Sequence, residues 1–342
     1  MVSIAYRGAH VLVAAIVLAA GSTELRADDF YTKRQIKLLI GNNAGTSYDL
    51  SARLVGRHLG RHIPGEPTIL PQNMPGASGV IATNYAYNIA PKDGSVIVAT
   101  VQTVPQRQVL GDENVKFDAA KLSWIGNPAS SVNVMVTWHT APVKTFEAAL
   151  RQPTLMAATT RDASSGIEVA LANNLLGAKF HLVPGYKGNE IDLAMERGEV
   201  QGRAGQSWDG WKITHPDWVE QKKLNVLVQV GLNPSKELKD VPHMLALARS
   251  PEQRRIMELY SAPITLGRPL FVGPDVPAER IAILRAAFRA TMSDPAFLAD
   301  AKKLNYDVDP VWGEELQAIV ARMLATPPEV VAKAKDAMEY RN

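Results

Sequence analysis

Gly205-Gln206-Ser207-Trp208-Asp209 falls one residue short of the G-x-S-x-G elbow that presents a serine nucleophile. Asp209 stands where the second glycine belongs, and no small-residue helix follows to pack behind the turn. His58 and His62 have the i, i+4 spacing that puts two imidazoles on one helix face. Leu59 and Arg61 occupy the positions where H-E-x-x-H needs its general base, and Arg57 and Arg61 would repel a cation. Arg53, Arg57 and Arg61 recur at i, i+4, i+8, the pattern of a wet helix face. The residues therefore speak for binding rather than for catalysis or a metal.

The binding chemistry centres on Ile36 to Ile63. An apolar run, Ile36 to Ile40, meets the polar loop Gly41 to Asp49, and Ala52, Val55, Leu59 and Ile63 then return at helical spacing. Asp49 reads as the helix N-cap. Strand, small-residue loop and helix is how α/β proteins aim free backbone N–H groups at an anion. An ordinary strand-to-helix turn has the same look. The loop carries neither GxGxxG nor GxxxxGK[ST], so no nucleotide cofactor is indicated. Thr160 to Gly166 repeats the arrangement between the run Thr154 to Thr159 and a helix over Ile167 to Leu176. Two such loops in different halves of the chain can face each other across a cleft. Arg161 and Lys187 are the cations nearest to these loops, and Arg161 with the Ser164-Ser165-Gly166 turn is expected to hold a carboxylate. Trp208, beside Gln206 and Ser207, is placed to flank an organic ligand, whereas Trp211 reads as core.

Other elements must hold these loops. Short apolar runs at Thr68–Pro71, Val96–Thr100, Leu122–Gly126, Val132–Trp138, Phe180–Pro184, Asn225–Gly231 and Leu270–Gly273 read as strands. Helices are expected over Val80–Ile89, after Thr145, up to Arg197, and after Asp275 and Asp294, where Pro277 and Pro295 fit the first turn. Alternating β and α elements favour parallel sheets covered by helices.

The chain has 342 residues, 46% hydrophobic and 21% charged, enough for two lobes. Arg7 and His10 precede the run Val11 to Ala20, and Leu25-Arg26-Ala27 offers a cleavage point, so residues 1–27 read as an export signal too short to span a bilayer. The net charge of +3 is too small for a nucleic-acid footprint. With no cysteine, the fold must rest on core packing, and a lipid anchor has no attachment point.

Pro75-Gly76-Ala77-Ser78-Gly79, Pro91-Lys92-Asp93-Gly94, Val183-Pro184-Gly185-Tyr186-Lys187-Gly188, Arg197-Gly198-Glu199-Val200 and Gly273-Pro274-Asp275-Val276-Pro277 occur in that order. Together they resemble the Bug-type extracytoplasmic receptors of tripartite tricarboxylate transporters, from about Tyr31 to the C-terminal helices. The resemblance implies a type II periplasmic-binding-protein fold: two α/β lobes with mainly parallel sheets flanked by helices. One lobe would take residues 28–128 and 232–342 and the other 129–231. It further implies a periplasmic monomer without catalysis, cofactor, metal or nucleic acid, which captures a small organic carboxylate and delivers it to a membrane permease. By position, the ligand loops are Asn43, Ala44, Gly45, Thr46, Ser47, Tyr48 and Asp49, with Ser78, Gln102 and Thr103, in the first lobe. In the second they are Arg161, Asp162, Ser164, Ser165 and Gly166, with Tyr186, Gln206 and Trp208 nearby. The usual P-G-G-x-x-D loop departs here to Ala44-Gly45-Thr46-Ser47-Tyr48-Asp49, and Tyr48 with Trp208 is expected to suit the pocket to a ring-bearing or longer ligand rather than a small dicarboxylate. A sensor input for a membrane kinase is one alternative role, and a secreted α/β hydrolase the other.

Overall fold

The computed structural model describes residues 30–341, so the export signal expected over 1–27 lies outside the described residues. The first half runs β1 (Gln35–Ile40), α1 (Ser47–Leu59), β2 (Thr68–Asn73), α2 (Val80–Asn88), β3 (Val96–Ala99), α3 (Val104–Val109) and β4 (Ser123–Asn127). There follow β5 (Asn133–Trp138), α4 (Phe146–Ala149), β6 (Thr154–Ala158), α5 (Ser164–Leu171), β7 (Phe180–Pro184) and α6 (Gly188–Glu196). Then come β8 (Gly202–Ser207), α7 (Trp208–Thr214), α8 (Pro216–Glu220) and β9 (Leu224–Val230). The chain closes with α9 (Pro251–Leu266), β10 (Leu270–Val272), α10 (Ala278–Ser293), α11 (Pro295–Lys303), β11 (Val311–Trp312), α12 (Gly313–Leu324) and α13 (Pro328–Met338).

Two sheets result. One has the order β11-β4-β10-β3-β1-β2, the other β7-β6-β8-β5-β9. Both are mixed rather than mainly parallel. β1 pairs parallel with β2 and β3, and β6 with β7 and β8, as helix-linked βαβ units require. β5 and β10, the first strands reached after the chain has crossed between sheets, run antiparallel to their neighbours. A strand arriving from the other lobe comes in at the opposite end, so its direction is reversed.

Strand alternation sorts the apolar side chains into cores. Ile36, Leu38 and Ile40 of β1, with Ile97 of β3, face α1, α10 and α11 through Leu54, Phe288 and Phe297. Leu39, Val96 and Val98, one residue out of phase, join the central core instead. In the second sheet Val134 and Val136 meet Trp211 and Trp218 on the outside, while Met135 points to the centre. That central core runs through both lobes: Trp124 and Phe271 come from the first sheet, Met156 from the second, and Met257 and Leu266 from α9. Each large side chain buried there contributes about 1.5–3 kcal/mol.

The chain crosses between the sheets in the segments after β4 and after β9, and one amide fastens both. Asn127, fully buried, donates to Ala129 O (2.7 Å) and Thr265 O (3.3 Å) and accepts from Ala129 N (3.2 Å) and Arg268 N (3.0 Å). The last helix, α13, packs on α9 and on α5, and Asn174 donates to its Ala337 carbonyl at 3.0 Å. Among the described residues no helix is long and apolar enough to cross a membrane.

Candidate functional site

A cavity of about 280 Å³ lies between the two sheets, beyond the carboxyl ends of β1, β3, β6 and β8. Its first-lobe wall includes Tyr48 and Gln102, with the Tyr48 hydroxyl donating to Gln102 Oε1 at 3.3 Å. The loop behind them is braced from within. Helix α1 is capped by Thr46, whose Oγ1 accepts from Asp49 N at 3.3 Å, so the cap lies three residues before the expected Asp49. Asp49 turns its carboxylate inward to accept from Gly45 N (2.9 Å), Arg53 Nε (2.9 Å) and Asn73 Nδ2 (2.8 Å). Burial alone would raise that carboxyl, but these three donors hold it below its ordinary value. Asp49→Ala should therefore cost about 2 kcal/mol by stranding Asn73 and the Gly45 amide, measured as a lower urea midpoint at neutral pH. The loop after β2 is braced by strain instead: Ala77 and Ser78 both take left-handed backbone, with φ of 44° and 50°.

The second-lobe wall begins at Ser164, where α5 starts. Its N-cap is Ala163, which makes no side-chain capping bond; the Ala163 carbonyl takes Gly166 N and Ile167 N (both 2.9 Å), which leaves the Ser164 and Ser165 amides for water or a ligand. The turn into α5 is tight. A Cβ on Gly166 would stand 2.4 Å from the Arg161 carbonyl oxygen, and one on Gly205 of β8 2.4 Å from Ser165 N. Behind this wall lies Glu168, fully buried. Its carboxyl accepts from Asn133 Nδ2 (2.7 Å), Gly205 N (2.8 Å) and the Tyr260 hydroxyl of α9 (3.2 Å). Asn133, Gly205 and Ser164 all line the cavity, so Glu168 fixes its floor from behind. Burial pushes this carboxyl up to about 7 against the three hydrogen bonds and the Arg203 charge that favour ionisation.

The crossover segments supply the rest. Arg268, two residues before β10, projects its guanidinium over Tyr48 (5.8 Å from the ring centre) and Tyr306 (5.6 Å). The Tyr306 hydroxyl is shared with Ser51 Oγ at 2.8 Å. Burial raises both phenols, which therefore stay neutral at physiological pH. At the rim, Lys212 of α7 pairs with Asp307, in the segment before β11 of the first sheet, at 2.9 Å, and with Asp209 (3.1 Å) and Glu237 (2.8 Å). Burial works to lower the Lys212 ammonium, and the three carboxylates outweigh it and raise it.

Of the residues expected at the site, Tyr48, Gln102 and Ser164 line the cavity. Asp49, Ser165 and Gly166 stand behind it, Ser165 accepting from Thr159 N at 3.2 Å. Asn43, Ala44, Gly45 and Ser47 are exposed, Thr46 half-buried, and Thr103 precedes α3. Ser78 is exposed on its strained loop. Arg161 is not brought to the cavity: the turn after β6 carries it outward, over the Tyr340 ring at 5.7 Å. Asp162 is exposed and held by Thr160. Tyr186 packs on the outer core, Gln206 donates to Thr214 Oγ1 (3.2 Å), the Trp208 indole donates to Glu237 (2.8 Å), and none of the three lines the cavity. Ser207 does line the cavity, but its hydroxyl caps α7 by accepting from Gly210 N at 3.0 Å. His58 and His62 face Asp300 and Asp294. The sequence reading missed Asn133, Arg268, Tyr306 and Glu168. Two carried a signal: Glu168 is the lone charge in an apolar helix, and Gly267-Arg268-Pro269 interrupts an apolar run.

No protein-family model matches the chain, and a search of curated proteins finds no relative. Solved structures do match. A TctC solute-binding protein from Polaromonas aligns at 18% identity over 90% of this chain and 99% of its own, with a TM-score of 0.69. The periplasmic binding protein BugD aligns at 17% identity over 90% and 99%, with a TM-score of 0.56. MatC from Rhodopseudomonas palustris, solved with bound malate, aligns at 17% identity over 90% and 99%, with a TM-score of 0.53. Two mixed α/β sheets, two crossovers and a cavity between them give this chain the two-lobed fold of the periplasmic solute-binding proteins.

Proposed function

We propose that the protein is a periplasmic receptor that captures a small organic carboxylate between its lobes and presents it to the permease of a tripartite tricarboxylate-type transporter. The observation that carries this reading is the cavity itself, walled by both lobes, with the uncapped start of α5 opening on it. A carboxylate at that helix end completes the orphan amides and meets the positive end of the helix dipole. A ligand touching Tyr48 on one side and Ser164 on the other stabilises the closed arrangement over the open one, which is how binding becomes a signal a permease can read. The likeness in fold to MatC, solved with malate, agrees with a carboxylate ligand. The receptor acts as a monomer and performs no chemistry on its cargo.

Thermal melting against a panel of aliphatic and aromatic carboxylates tests this. A ligand at 100 times its dissociation constant adds about 2.7 kcal/mol, a rise of a few degrees in a chain this size. At least one carboxylate should raise the midpoint in this way. A flat response across the panel, from protein unfolded and refolded to remove bound cargo, would reject a carboxylate receptor.

A further inference from the structure

The first lobe brings its own helix N-terminus to the cleft, yet that terminus is already satisfied. Thr46 caps α1, and the Asp49 carboxylate supplies a negative charge within its first turn. An anion arriving at α1 would meet Asp49 rather than a free positive end. The cavity nevertheless holds a cation on this side. Arg268 lies over the rings of Tyr48 and Tyr306; the Tyr48 hydroxyl is engaged with Gln102, and the Tyr306 hydroxyl with Ser51 and with Arg268 itself. Its Nε–H is buried and finds no acceptor among the described residues. Its backbone N–H is tied to Asn127 at the crossover, so the base of the side chain is fixed as well. The two carboxylates on the cavity wall, Asp209 and Asp307, are both held by Lys212.

We propose that Arg268 is the specificity-determining residue of the receptor, taking a second acidic group while the start of α5 takes the first, and so selecting diacids over monoacids. This rests on the receptor reading above and adds to it which residue reads the ligand's charge. A guanidinium set against two rings, with its backbone fixed at the crossover, has lost part of its rotational freedom before the ligand arrives. Its paired N–H groups match the two oxygens of a carboxylate. The cavity of about 280 Å³ is the size for a short-chain diacid with a few waters, each taking about 30 Å³. Both carboxylates would be bound at once only with the lobes closed.

Isothermal titration of the whole chain and of Arg268→Met and Arg268→Lys separates the possibilities, using succinate, adipate, butanoate and hexanoate as probes. The wild-type chain should bind a diacid at least tenfold more tightly than the monoacid of equal length, a difference of about 1.4 kcal/mol. Arg268→Met should collapse that ratio to near one, and Arg268→Lys, which keeps the charge but not the fork, should retain part of it. A diacid-to-monoacid ratio unchanged in Arg268→Met, in protein whose melting shows it folded, would overturn the assignment. So would a wild-type chain that binds both classes equally, and that result would leave the carboxylate receptor standing. Binding of none of the four probes would overturn the assignment, and with the flat melting panel would overturn the receptor reading too.

Discussion

Gly205→Ala should lower stability by about 3–5 kcal/mol and abolish the ligand-induced rise in melting temperature. Gly205 sits in β8 with φ of +79°, where a side chain costs about 1–2 kcal/mol in backbone strain alone. The larger part is contact. An added Cβ would stand 2.4 Å from Ser165 N and 2.6 Å from the Ser164 carbonyl carbon, both backbone atoms at the start of α5. Neither can rotate away, so strand and helix must separate. Separation breaks the 2.8 Å bond from Gly205 N to Glu168, and a buried group left without its partner costs about 1–3 kcal/mol more. The ligand effect follows from the same displacement, because Ser164 and Gly205 both line the cavity. Gly198→Ala is the control. Gly198 has a similar φ of +73° but nothing within 4 Å of its Cβ position, so it should show the strain cost without the contact cost or the ligand defect. Urea midpoints and ligand-dependent melting of the two variants measure both quantities. Equal losses in the two would mean that strain alone accounts for Gly205.

The same contacts explain which parts of the molecule were legible in the sequence. β3, β5 and β9 announce themselves as apolar runs because each is largely buried on both faces, and β1 does so over Leu38 to Ile40. β8 does not, although it lies between β6 and β5 in the middle of its sheet. Its sequence, Gly-Arg-Ala-Gly-Gln-Ser, is set by backbone proximity rather than by apolar packing: a Cβ on Gly202 would meet the Val136 carbonyl at 2.2 Å. Helix α9 was equally hidden, since its last eleven residues are all buried except Glu258 and it contains Pro263, so neither amphipathic period nor helix propensity marks it. The N-cap of α1 was misplaced because Asp49 makes its bond backwards, to Gly45 N, and an acid in the first turn resembles a cap in sequence. Half of the site was readable for a local reason, that Tyr48 and Ser164 open helices directly after strands. Arg268 was not, because it reaches the cavity through the crossover that Asn127 organises, 141 residues earlier in the chain. Arg161 shows the converse: nearness in sequence to a loop does not fix which way the turn throws the side chain.

Between pH 4.5 and 7 the protein should become less stable as pH rises, by about 3 kcal/mol from Glu168 alone, and Glu168→Gln should flatten that slope. The sign follows from proton counting. The buried carboxyl holds its proton up to about pH 7, whereas the unfolded chain releases it near the ordinary 4.5. Through that window the native state carries one proton more than the unfolded state, so the unfolding free energy falls by about 1.4 kcal/mol per pH unit. Below the window the advantage is complete, and above it the advantage is gone. Asp49, Asp112, Asp162, Asp294 and Asp300 are held low and act in the opposite direction at more acid pH, and His243, lowered by burial, acts in the opposite direction within the window. Asp209, raised by burial, contributes with the same sign as Glu168, which is why the difference between wild type and Glu168→Gln is the quantity to follow. The absolute stability of the variant is a poorer guide, since a glutamine amide facing the Gly205 N–H sets donor against donor. Protonated Glu168 has to donate one hydrogen bond, and of its three partners only the Tyr260 hydroxyl can turn to accept it. Asn133 and Gly205 therefore keep their places in the cavity floor as the carboxyl titrates, and what changes behind the ligand is charge. Loss of a negative charge there favours an anionic ligand, so carboxylate affinity should rise as pH falls through 7 in the wild type and stay level in Glu168→Gln. Parallel pH profiles of affinity in the two proteins would remove Glu168 from any influence on binding.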